Sequence, residues 1–464
     1  MTDAPIPSVV SRLRLDVYTE DGQWIESRDA ALAQPSEWPA TMVIYSTDVA
    51  RARRVRLRLR GYVDGALRDY RGERYVPPPP RDAPPGLEPV DVPATDEPRL
   101  LRGSAVSGEP SPESAIDRLL WARLEEGSTE EATIVLRLAC AGTMADIASD
   151  RTCVDERGVL RPTDFGRTEN LAVPEWSTRL DDDRRALPAP RTRHFAGSTP
   201  LFDEEVSAPG GPIVLGTRAQ SSFTGSKGIG DFDPRREPER VFVVPPLLVD
   251  RFEVTVGRYR AALARGFVPP VAVETRDVCT YSLEPANQET KPLNCVSFET
   301  ARAFCRFEGG DLPTEAQWEF FATMAGRTIK SEPWGTEPPR CEDVVFGRNA
   351  LFRDVYDVKG CLKSKEPAGP LAVDAGLGDE TPAGVHGLGG NMSEWVRDRY
   401  FPYRSACWAG APVYDPVCED PSSPLQGFRG NAWTSDLTSP SATRQAAADN
   451  VVPLDVGFRC VRSR

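Results

Sequence analysis

The chain has 464 residues, a formal net charge of −13, 44 prolines and only 2 histidines. The acidic balance argues against a nucleic-acid binder, whose phosphate contacts need clustered Lys and Arg. No stretch approaches the roughly 18 apolar residues of a transmembrane helix, and the length allows two to four domains with ample core.

The first elements read as strands. Leu13, Leu15 and Val17 alternate with Arg14, Asp16 and Tyr18, the period of a half-buried strand. Thr41–Tyr45 is a short apolar run of strand type. Residues 55–62 repeat the alternation, which puts Arg56, Arg58 and Arg60 on a solvated face. The prolines of 76–80 with Pro84 and Pro85 make a stiff interruption. Strand signals resume at Ile116–Arg123 and Thr133–Cys140. Together these predict an antiparallel, Ig-like β-sandwich over 8–160. It holds no histidine and only scattered acids, so a structural or docking role is expected.

Residues 161–203 are polar and aperiodic and read as a linker, with His194 solvated there. A C-terminal domain then covers 204–464. Pro209-Gly-Gly opens it before the apolar run 213–215, and 237–246 is a further strand. Thr255 caps a predicted helix over 256–264, and Ser297 starts a second. Thr314 with Gln317 forms a capping box for a third, which Gly326 ends. After it, periodicity is scarce until Trp395, so this long stretch needs staples or a metal to stay ordered.

Ten cysteines supply the staples. Most arrive as local pairs, Cys140 with Cys153, Cys279 with Cys295, Cys341 with Cys361 and Cys407 with Cys418, leaving Cys305 and Cys460 over. Such short loops read as a disulfide framework from an oxidising compartment, periplasmic, cell-surface or secreted; ten reduced cytosolic thiols are the alternative. The start, Met1-Thr-Asp-Ala-Pro, has neither the charge nor the apolar core of a signal peptide, so either a natural leader absent from this sequence or a misassigned start codon is expected. With no Cys-x-x-Cys and two histidines, no zinc is expected.

The densest motif is Gly384-Val-His-Gly-Leu-Gly-Gly-Asn-Met-Ser-Glu-Trp-Val-Arg-Asp398. Two readings of it are open. Glycine-rich backbone followed by a carboxylate suits Ca2+, which takes six to eight oxygens. Equally, a glycine turn leads into a buried Trp strand with a salt-bridged Glu.

Seven segments in order carry a resemblance. They are Pro209-Gly-Gly-Pro-Ile-Val-Leu-Gly216, Pro246-Leu-Leu-Val-Asp-Arg-Phe-Glu-Val-Thr255, Pro292-Leu-Asn-Cys-Val-Ser297, Leu312-Pro-Thr-Glu-Ala-Gln-Trp-Glu319, Gly390-Asn-Met-Ser-Glu-Trp395, Phe428-Arg-Gly-Asn-Ala-Trp433 and Gly457-Phe-Arg-Cys460. In order and spacing this resembles the formylglycine-generating enzyme, or sulfatase-modifying-factor, family over roughly 203–464. The resemblance implies an α+β chain: the sandwich, then an irregular C-type-lectin-like domain. It pairs Cys305 with Cys460. It also implies calcium on the carbonyls of Gly390 and Met392 and the Glu394 carboxylate, with Gly387 standing where the family places a side-chain ligand. Calcium binding is therefore expected to be weakened or replaced by a structural turn.

The family's aerobic oxidases hold copper with two thiolates after the Arg-Gly segment. Here Ser435 and Pro440 occupy those places. A hydroxyl is a poor ligand for Cu(I), so no copper is expected, and two histidines cannot form the three-histidine iron site of a sibling branch. The resemblance thus points to a catalytically silent, exported bacterial surface protein that binds a peptide, glycan or protein. Trp433, Asn431, Ser435 and Arg444, with Asp449, Phe401 and Tyr403 nearby, are the expected ligand surface. A divergent oxidase using Cys407 and Cys418 is the alternative.

Overall fold

The structure is a computed structural model. It describes residues 1–6, 9–45, 53–64, 114–154, 160–170, 201–208, 210–216, 239–323, 332–335, 339–349, 361–362, 367–403, 405–435 and 443–463, with a few short strands between them. Contacts divide the chain into two compact units, residues 1–178 with 238–241 and residues 179–237 with 242–464. Strands far outnumber helices.

The first unit is built on four antiparallel strands, β1 (Arg12–Thr19), β2 (Trp24–Ala31), β3 (Arg53–Tyr62) and β4 (Ile116–Leu124). Their order in the sheet is β4-β3-β1-β2. One face carries Leu15, Val17, Val55, Leu57 and Leu120, packed against Met42, Ile44 and Ile134. The segment around Met42 does this without forming the strand expected at 41–45. The apolar run 133–140 is likewise not a strand but an extended segment ending in a 3-10 turn at Leu138–Cys140. Its apolar residues fill the sheet's face rather than extending its ladder. No second large sheet faces this one among the described residues.

The opposite face overturns the expectation of a solvated arginine row. Arg58 and Arg60 are each only 4 % exposed. Arg58 is bidentate on Asp117, with Nη2 to Oδ2 at 2.6 Å, and Arg60 pairs with Asp16, which Arg14 also approaches at 3.1 Å. The cover is the loop closed by the Cys140–Cys153 disulfide. Ala145 donates its N–H to Asp117, and Ala145 and Ile147 pack with Tyr18 and Leu119. Alternation correctly separated the two faces of the strand. It could not reveal that both are covered.

In the second unit, β5 (Glu204–Ala208) pairs with β6 (Leu247–Asp250), which pairs with β11 (Val461–Ser463); Arg191–Thr192 lies on the other side of β5. A second sheet has the order β9 (Arg444–Ala448), β8 (Leu425–Arg429), β7 (Ser393–Arg399), β10 (Val456–Gly457). Only its β7–β10 contact is parallel. Three helices, α1 (Val256–Ala264), α2 (Phe298–Phe307) and α3 (Glu315–Ala322), start where Thr255, Ser297 and Thr314 cap them. The capping box with Gln317 is formed. The last helix stops at Ala322, earlier than Gly326, as the Thr323 hydroxyl donates back to the Glu319 carbonyl at 2.6 Å. The two largest apolar clusters of the unit have separate centres. One surrounds Trp318 and Trp408, the other Phe304, Trp395 and Phe458.

All five disulfides form with the expected partners: Cys140–Cys153, Cys279–Cys295, Cys305–Cys460, Cys341–Cys361 and Cys407–Cys418. No cysteine is left free. The Cys305–Cys460 bridge joins α2 to the chain just before β11 across 155 residues.

Candidate functional site

The glycine stretch runs into β7, whose Glu394 stands parallel to Gly457 of β10. That register brings Arg459, two residues beyond, onto the Glu394 carboxylate. Arg459 Nε lies 2.8 Å and Nη2 2.6 Å from Oε1, and Trp318 Nε1 donates to Oε2 at 2.8 Å. Both charged side chains are fully buried. The same guanidinium donates to the carbonyls of Asp250, Arg251 and His386. Trp395 is buried and donates to the Val296 carbonyl. This is the glycine turn with a buried Trp strand and a salt-bridged Glu.

Glu253, from the segment after β6, reaches the glycine stretch. A Cβ at Gly387, where φ is +70°, would lie 2.9 Å from its carboxylate carbon and both oxygens. Asn391 Nδ2 donates to Glu253 Oε1 at 3.2 Å, while Oε2 makes no hydrogen bond. Burial pushes Glu253 up to about 8, with Arg459 opposing and Glu394 adding. Asp379 takes the Gly389 N–H on both oxygens at 3.0 Å and is pushed by burial up to about 7. His386 stacks on Phe252 with ring centroids 5.2 Å apart and meets Glu380 at 3.2 Å; burial pulls its pKa down. His194 lies outside the described residues.

Of the four residues implied for calcium, three lack a donor side chain or are already engaged by protein. Gly387 has no donor side chain. The Glu394 oxygens are already held by Arg459 and Trp318, and the Gly390 carbonyl accepts the Met392 N–H at 2.8 Å. Among the described residues, no three His, Cys, Asp or Glu side chains are placed to hold a metal together.

The expected ligand surface is largely interior. Arg444 is 2 % exposed and clamps Glu315 at the start of α3, Nε to Oε2 at 2.6 Å and Nη2 to Oε1 at 2.7 Å. Arg429 Nη1 reaches the same carboxylate at 3.1 Å and also pairs with Glu319. The Tyr403 hydroxyl donates to Glu315, and its ring lies 3.9 Å beneath the Arg444 guanidinium. Burial works to raise Glu315, but Arg444 and then Arg429 hold it below its usual value. Trp433 and Asn431 are also buried, Asn431 donating to the Gly389 carbonyl at 3.2 Å. Ser435 is half-buried and turned inward, its hydroxyl accepting the Ala432 N–H. Phe401 is half-buried in the Trp318 cluster. Asp449 alone of the set is well exposed, paired with Arg399. Pro440 lies outside the described residues. Sequence reading missed Glu253, Asp379 and the Arg429–Glu319 pair. Glu253, Arg429 and Glu319 lie in the quoted segments and Asp379 in none, and pairing across such separations leaves no local signal.

Residues 193–464 match the model of the sulfatase-modifying factor enzyme 1-like domain. The chain is similar to the formylglycine-generating enzyme of Mycobacterium tuberculosis, 26 % identical over 191 residues that cover 38 % of this chain and 58 % of that protein. It is similar to the inactive C-alpha-formylglycine-generating enzyme 2 of Mus musculus, 28 % identical over 183 residues, 37 % of this chain and 49 % of that one. The chain spans about half the length of the curated relatives it matches. Among solved structures, PvdO from Pseudomonas aeruginosa aligns with a TM-score of 0.40 at 22 % identity, over 56 % of this chain and 94 % of PvdO.

Proposed function

The chain belongs to the sulfatase-modifying factor enzyme 1-like domain family, and from that premise we propose that it is an exported binding module without the family's copper oxidase chemistry. The observation that carries this reading is the cysteine inventory. All ten cysteines are in disulfides, and Ser435 stands where the first copper thiolate belongs. Cu(I) requires soft thiolate donors, and a disulfide sulfur is not one. That one relative is named inactive supports the same reading. Five disulfides support an oxidising compartment outside the cytosol.

In this reading a β domain over 8–160, built on its one four-stranded sheet, and a linker over 161–203 precede a lectin-like domain over 204–464. Its partner is a peptide, glycan or protein. With Arg444, Trp433 and Asn431 buried, the partner contacts lie on residues outside that trio. The test is to incubate the disulfide-intact chain with copper and a cysteine-containing sulfatase-type peptide, following aldehyde formation by mass. No conversion is expected. Conversion that disappears in Cys407→Ser would establish the divergent oxidase instead.

A further inference from the structure

We infer that this domain has exchanged calcium at its glycine stretch for a lock made of its own side chains. The Glu253 carboxylate fills the room of the side chain that Gly387 lacks, and Arg459 is the fixed cation on Glu394.

Three contacts close the stretch. At Gly387 an added Cβ would stand 2.9 Å from three atoms of the Glu253 carboxylate. At Gly389 it would stand 2.4 Å from the Trp334 ring, and at Gly390 2.8 Å from the Val345 carbonyl. Real Cβ atoms do not come that close, so a side chain at any of the three would force a neighbour to move, and at Gly390 that neighbour includes backbone. Asn391 then ties the stretch to its neighbours. Its Nδ2 donates to Glu253, and its Oδ1 accepts the Leu371 N–H at 3.0 Å. The Val345 carbonyl accepts the Asn391 N–H at 2.8 Å. The charge that a cation would supply at Glu394 is already present, since Arg459 spans both carboxylate oxygens. A divalent ion on that carboxylate would sit against a buried guanidinium, where like charges repel strongly. The stretch therefore holds its shape with no calcium.

Thermal unfolding of the full disulfide-intact chain in millimolar Ca2+ and in EDTA tests the first half. The melting temperature is expected to be the same in both; a calcium-dependent rise overturns the inference. A double-mutant cycle tests the second half. Gly387→Asn alone is expected to lower the melting temperature by several degrees, because its side chain meets Glu253. In the Glu253→Ala background the same substitution should cost much less. Equal costs in both backgrounds would show that Glu253 does not occupy that room. Should Gly387→Asn alone fail to fold, recovery or failure of the double variant and the calcium comparison still decide. None of these readouts depends on the cysteine reading.

Discussion

Both units bury arginine–carboxylate pairs, but they use them differently. In the first unit the pairs lie between neighbouring strands of one sheet: Arg60 of β3 with Asp16 of β1, and Arg58 of β3 with Asp117 of β4. The register sets Asp16 opposite Arg58 and Asp117 opposite Arg60, and each arginine reaches the diagonal carboxylate on the neighbouring strand. In the second unit the arginines reach beyond the strands that place them. Arg444 of β9 grips Glu315 at the start of α3, 129 residues earlier, and Arg459 grips Glu394 while holding the carbonyls of Arg251 and His386. A regular sheet can lose a cross-strand ion pair and keep its backbone ladder. An irregular domain that loses its clamp loses the contact that fixes its loops.

The largest expected effect breaks that comparison open. Arg444→Ala removes one of the two cations on buried Glu315, leaving Arg429, and should cost up to about 3–5 kcal/mol of stability, the range for breaking a buried ion pair. Arg58→Ala, beside a backbone ladder that persists, should cost less in the same denaturant titration. An equal or larger loss at Arg58 would mean that sheet and clamp are not distinct.

The pH response sharpens the contrast. Asp398 accepts the N–H groups of Glu315 and Cys418, yet burial and then the Glu315 charge push it up to about 7. Asp379 and Glu253 are shifted the same way. Between the ordinary carboxylate range and these values the folded state binds more protons than the unfolded chain, so stability falls as pH rises through that window. Asp16 in the first unit runs the other way. Burial opposes, but Arg60 and Arg14 hold it below its usual value. Its contribution is constant above about pH 5 and is lost only in stronger acid. From pH 8 to pH 5 the second unit should gain on the order of a few kcal/mol, while Asp16 adds no change to the first. Calorimetry across that range, with unfolding resolved by unit, checks this. A second unit that weakens between pH 8 and 5 would contradict the placement of these carboxyls.

The smallest effect concerns a cap. Thr314→Ala removes the hydroxyl that accepts the Gln317 N–H and should cost about 1 kcal/mol. Chemical denaturation resolves such a change. A cost matching that of Arg444→Ala would mean that the helix start, not the ion clamp, fixes this region.

What could be read from the sequence was local. Thr255, Ser297 and Thr314 announced their helices because a cap acts over three residues. Four disulfides followed from short spacing, and the fifth, Cys305–Cys460, from the family resemblance. Alternation at 55–62 gave the strand but assigned Arg58 and Arg60 to solvent, because what covers a sheet face is decided by a distant loop. The run 133–140 looked like a strand, and its apolar residues were indeed needed, but as cover. Arg444 and Trp433 looked like a binding surface for the same reason. Residue type suggests a role, whereas burial depends on Glu315 and on loops far along the chain.

The central claim is that this family domain retains no thiolate for copper. Intact-mass analysis after denaturing alkylation without reductant, on protein secreted through an export leader, tests it most directly. The account predicts no alkylation at any of the ten cysteines. Alkylation of two, at Cys407 and Cys418, together with copper-dependent turnover of a cysteine peptide, would contradict it.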